Sequence, residues 1–159
     1  MSKGFDQFVA KFPVVELPVT LGENTHHVFG LENDPLNDHM IAEFILTEAD
    51  GEHDEFTEFV PCFSLRLSDA FVTLVWWKAG LMQYEYVLAT FDKKGVPIAR
   101  KVIGFTRADH KQIVRAVATI DEEWRIVMAS GQGDAATDYM EPAAATMHEA
   151  EIMPDGQIV

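Results

Sequence analysis

Cysteine is nearly missing: Cys62 is the only one in 159 residues, so the chain closes no disulfide of its own and suits a reducing compartment. Long apolar runs are missing too. Nothing approaches the roughly 18 uninterrupted apolar residues of a membrane span. The N-terminal MSKGFDQFVAKFPVVELP also holds no stretch that serves as the apolar region of a signal peptide before Pro13 interrupts it. A soluble, cytoplasmic protein is the expectation. The short signatures of nucleotide, metal and hydrolase chemistry are absent as well: there is no P-loop, G-x-S-x-G, C-x-x-C, H-E-x-x-H or EF-hand loop. Gly131-Gln-Gly133 lacks the third glycine and the strand-then-helix setting of a dinucleotide site. No catalytic residue, metal ligand or cofactor is expected.

Positive charge is absent over two long stretches. Between Lys11 and Arg66 there are twelve acidic residues and no Lys or Arg; from Arg66 to Arg125 ten basic residues stand against seven acidic; after Arg125 come six acidic residues and again no basic one. The net charge of −14 therefore arises in two acidic arms around a mildly basic middle. Such arms repel phosphate backbones and anionic membranes, which argues against nucleic acid and membrane as partners. A basic protein partner is attracted, over a range that shrinks as salt rises.

What is present is enough apolar material for one core. At 48% hydrophobic residues the composition is that of a folded chain, and residues 1–159 read as a single domain. Phe5, Phe8, Val9 and Phe12 recur at helical spacing until Pro13, which predicts a short helix over Lys3 to Lys11. Val14 to Leu21 reads as extended, with Pro18 confining it to a sheet edge. Residues 22–33 read as loop, with a brief strand at His27 to Leu31. Leu36, Met40, Ile41, Phe44 and Ile45 behind the capping types Asn33, Asp34 and Asn37 predict a second amphipathic helix, followed by a charged loop over Thr47 to Glu58.

From Phe59 to Phe105 the period changes to two, and four strands follow in a meander. In the first, Phe59, Phe63, Leu65 and Leu67 share one face and Val60, Cys62, Ser64 and Arg66 the other. Phe71 to Trp77, apolar on both faces, predicts a central strand covered on both sides. Turns are expected at Lys78-Ala-Gly80 and at Asp92-Lys-Lys-Gly95. Two further pairs follow, Ile113 to Ile120 with Trp124 to Ala129, and Met147 to Met153 with Gln157 to Val159. The fold class expected is mainly β (α+β): an antiparallel β-meander of about seven or eight strands, open barrel-like or propeller-like forms included, with one or two short helices packed on it.

Candidate binding residues come from two places. Glu48, Asp50, Glu52, Asp54 and Glu55 form a candidate contact loop for a basic protein. Trp76, Trp77, Tyr84 and Tyr86 either line a ligand cleft or interface or else form the core, one tryptophan on each side of the sheet. Cys62, in an apolar strand, reads as a small hydrophobe. His26 and His27, adjacent on a strand, point apart and do not share a metal. Asp134, Asp138 and Glu141 read as a solvated loop, and Glu149 with Glu151 as the charged face of an edge strand.

Four segments, Phe12 to Pro18, the helix Leu36 to Leu46, Tyr86 to Ile98 and Glu151 to Gly156, together resemble a group of small uncharacterised β-rich bacterial proteins. That resemblance implies a β-rich fold and no established activity, and it carries over no functional residues. The expected function is a non-enzymatic binding protein, an acidic inhibitor or immunity-type protein masking a basic partner. The alternative is a small-ligand-binding protein or hydrolase-like enzyme with a pocket between the sheet and residues 130–145.

Overall fold

The computed structural model describes residues 3–22, 25–46, 57–108, 112–134 and 146–159. In chain order its elements are α1 (Lys3–Val9), β1 (Val19–Leu21), α2 (Thr25–Glu32), α3 (Asp38–Met40) running into a π-helical turn (Ile41–Ile45), then β2 (Glu58–Leu65), β3 (Phe71–Gly80), β4 (Gln83–Asp92), β5 (Pro97–Ala108), β6 (Gln112–Ile120), β7 (Arg125–Asp134) and β8 (Thr146–Glu151). Strands β2 to β8 pair in sequence order, all antiparallel, and β1 joins β6, giving the expected eight-stranded meander as an open sheet. β6 is shared because β5 pairs with its first half alone, Phe105 to Ala108 against Ile113 to Ala116. Its second half is thereby left to β1, Val19 lying opposite Ile120.

The sheet curls. Four strand steps separate β3 from β7, about 19 Å in a flat sheet. Yet the ring of Phe71, which opens β3, meets the ring of Trp124, just before β7, at 6.2 Å. The concave face collects one core from all eight strands, including Phe63, Val75, Trp77, Leu88, Ile103, Ile126 and Ala150. On the convex face of β3 and β4 a second core forms from Leu74, Trp76, Val87, Ala89 and Phe91 under α1 and the α3/π segment. β3 is thus covered on both sides, as its doubly apolar sequence requires.

The convex core is aromatic. Phe5 and Phe8 of α1 are fully buried, Phe8 stacks on Phe44 at 4.8 Å, and Phe5 packs on Phe91 at 5.4 Å. Asn37 caps α3, its side chain accepting from the Met40 N–H at 2.8 Å. At the other end of this segment the Arg100 guanidinium donates to the carbonyls of Ile45 (2.8 Å) and Phe44 (3.0 Å) and lies 4.9 Å from the Trp76 ring. A cation on helix-terminal carbonyls is favourable electrostatically and satisfies acceptors the helix leaves open.

Four local readings need correction; one is Trp124, which stands in the turn before β7 instead of opening that strand. Residues 25–32 are helical rather than loop or strand: Thr25 Oγ1 accepts from the Gly22 N–H at 2.8 Å, Phe29 packs on Phe63, and Asn33 Nδ2 donates to Pro61 and Cys62 carbonyls at 2.7 and 3.0 Å. Docking on the β2 edge outweighs weak local preference. The β2 register shifts between Pro61 and Phe63, so Cys62 and Phe63 both enter the concave core while Phe59 packs on the convex one. Strict alternation fails at such a bulge. Finally, β3 runs through Gly80, and the reversal falls on Leu81 and Met82, with Met82 at φ 58°.

Candidate functional site

The acids proposed as a contact loop, Glu48, Asp50, Glu52, Asp54 and Glu55, lie outside the described residues, as do Asp138 and Glu141 and most of the 130–145 segment. The four aromatics are described, and they separate. Trp76 is fully buried in the convex core; Trp77 and Tyr86 are buried in the concave one. The Tyr86 hydroxyl donates to the Gly22 carbonyl at 3.0 Å, tying the β1 end to β4. Tyr84 alone reaches solvent, at 43% exposure, stacked on Trp77 at 5.5 Å beside the exposed turn of Leu81 and Met82.

The other chemistry-bearing residues are placed as follows. Cys62 is fully buried, and burial pushes its thiol well above the usual range, which disfavours the thiolate needed for nucleophilic attack. His26 and His27 belong to helix α2, not to a strand. Glu149 and Glu151 are exposed on β8, at the end of the strand order. Among the described residues no three His, Cys, Asp or Glu side chains gather where they could hold a metal ion. No helix among them is long and apolar enough to cross a membrane.

The charge map gains a third dimension. Four arginines of the sheet region are occupied within the chain: Arg100 on carbonyls and Trp76, Arg107 over Phe105 at 4.2 Å and beside Glu85 at 3.7 Å, Arg125 on Asp121 and Glu123 at 3.3 and 3.1 Å, and Arg115 buried within β6. The acidic arm is not neutralised in this way. Glu16, Glu32, Asp34, Asp38, Glu43 and Glu58 are all exposed, and Glu43 alone of them has an ion-pair partner among the described residues, His39 at 3.0 Å.

Shape adds a feature that no sequence motif marks. At the end of the sheet where the β2–β3 loop, the β4–β5 loop and the end of α1 meet, a cleft of about 660 Å³ opens. A second one of about 410 Å³ adjoins it, and the two share Val14, Leu65, Arg66 and Leu67. Its lining comes from segments tens of residues apart, and the one available signal was the unusual Arg66 among the apolar residues 59–67. No protein-family model, curated protein or solved structure matches the chain, so the roles of these residues rest on their own geometry.

Proposed function

We propose that the chain is a non-enzymatic binding protein that masks a basic protein partner with its acidic N-terminal third. The observation that carries this reading is the unequal use of charge. Arg107 and Arg125 are ion-paired within the chain, Arg100 is held on carbonyls and Arg115 is buried, whereas the carboxylates described between Lys11 and Arg66 face solvent with a single ion pair among them. An uncompensated acidic surface raises the encounter rate with a positively charged partner and sets orientation more than it adds affinity. Residues 48–55, with five more acids, extend the same arm in sequence.

The test is the salt response of the complex with a partner isolated on the immobilised chain. Its association rate is expected to fall about tenfold or more between low and high salt. The triple variant Glu32→Gln, Asp34→Asn, Asp38→Asn should lower the rate at low salt and flatten that dependence. An association rate indifferent to both salt and variant would sink the proposal.

A further inference from the structure

The two adjoining clefts form one groove with a polarity of its own. In the larger part Phe12, Val14, Leu65, Leu67, Phe71 and Val72 supply apolar wall, and Arg66 and Lys93 supply two positive charges against one negative, Asp69. Both cations are exposed, and neither has an ion-pair partner among the described residues. That sets them apart from Arg107 and Arg125, which are ion-paired, and from Arg100, which is held on backbone carbonyls. The smaller part is lined by Val15, Leu17 and Trp124, with the exposed acids Glu16 and Glu122 and with Arg66 at the junction. One end of the groove is net positive and the other net negative, and Val14, Leu65 and Leu67 line both.

Trp124 supplies a second, independent observation. Its φ of 68° lies in the left-handed region, which costs a residue with a side chain about 1–2 kcal/mol relative to glycine. The backbone holds that conformation while the indole stays half-buried, edge-on to Phe71 and facing the smaller cleft. That backbone conformation sets the indole between Phe71 and the smaller cleft.

We propose that this groove binds an amphiphilic monoanion, a carboxylate on a hydrocarbon body, with the head between Arg66 and Lys93 and the body running past Leu67 to Trp124. A guanidinium pairs both oxygens of a carboxylate, and a volume of several hundred cubic ångströms is that of a small-molecule site. Glu16 and Glu122 turn away a second negative charge at the far end, which fixes the direction of the ligand. Glu16 is the one carboxylate of the acidic arm in this lining; Glu32, Asp34 and Asp38, the residues altered to test the preceding proposal, lie outside it, so the two proposals fail independently.

Decanoate is the probe, titrated into the full chain by calorimetry, with Trp124 fluorescence as a parallel readout. Saturable binding below the micelle concentration is expected, about tenfold or more tighter than decanol or decyltrimethylammonium. Acetate, lacking the body, should not bind. The variant Arg66→Gln, Lys93→Gln should lose about tenfold or more in decanoate affinity while decanol binding stays as it was. Because both side chains are exposed, the melting temperature should be unchanged and confirms the fold. Equal binding of decanol, tighter binding of the cation, an unaffected double variant, or no saturable decanoate binding each overturns the proposal; an acidic peptide binding where decanoate does not would assign the groove to a peptide instead.

Discussion

In the loop between β4 and β5, Asp92 Oδ1 accepts from the Lys94 and Val96 N–H groups at 2.8 and 2.9 Å, and Gly95 takes a φ of 93°. In the loop between β6 and β7, Asp121 Oδ1 accepts from the Glu123 and Arg125 N–H groups at 2.9 and 3.0 Å, and Trp124 takes a φ of 68°. The backbone bonds match as well: Gly95 N–H to the Asp92 carbonyl at 3.1 Å, and Trp124 N–H to the Asp121 carbonyl at 3.1 Å. One turn is thus built twice, with glycine in one copy and the largest side chain in the other at the position that favours glycine. Each choice answers its neighbour. A Cβ on Gly95 would stand 2.9 Å from the Phe5 ring, so α1 can seat only against a bare backbone there. Trp124 instead faces Phe71 and an open cleft, and its indole joins the start of β3 to the start of β7.

Filling the glycine copy should have the largest effect. Gly95→Ala combines the left-handed penalty with a clash against Phe5 and should destabilise the chain by about 2–4 kcal/mol in urea unfolding. Pairing it with Phe5→Leu should recover part of that loss. If Gly95→Ala costs no more than a surface substitution, the seating of α1 on this loop is not what the glycine serves.

Emptying the tryptophan copy comes next. Trp124→Ala should cost about 1–3 kcal/mol through lost contact with Phe71 and the concave core. Trp124→Gly removes the same indole but relaxes the backbone, so it should be about 1 kcal/mol more stable than Trp124→Ala. That order reverses the usual ranking of alanine over glycine. An alanine variant as stable as the glycine one would show that no strain is held at this position.

The contrast also marks where sequence reading succeeds. Asp92-Lys-Lys-Gly95 was legible as a reversal because glycine announces a positive φ. Between the expected strands Ile113 to Ile120 and Trp124 to Ala129, nothing local marks a tryptophan bent left-handed beside Phe71, more than fifty positions earlier. The same division runs through the fold. The two faces of β3 and β4 followed from period two and from apolar runs. The Cys62 bulge, the shift of the next turn to Leu81 and Met82, and helix α2 depend on pairing and docking partners distant in sequence. Of the candidate site residues, Trp76, Trp77 and Tyr86 sit in the cores. Arg66 and Lys93 come to one cleft because β2, β3 and β4 pair side by side and bring the β2–β3 and β4–β5 loops to the same end of the sheet.

The smallest effect separates the two aspartates. Both carboxyls are held below the usual carboxylate range, Asp92 chiefly by the Val96 N–H and Asp121 chiefly by the Arg125 N–H. A folded-state pKa below the unfolded value of about 3.9 means that the contribution is present above that pH and is lost as pH falls through the folded value. Asp92→Asn and Asp121→Asn should therefore each be less stable than the parent at neutral pH, and their stability curves should converge on the parent's in strong acid. Salt should divide them. Asp121 also meets the Arg125 guanidinium at 3.3 Å, an ion pair that salt screens, whereas the N–H bonds common to both loops are short-range and respond little. Raising salt at neutral pH should shrink the loss in Asp121→Asn more than in Asp92→Asn, and an equal response would show that the Arg125 guanidinium does no more for its turn than the Lys94 charge does for the other.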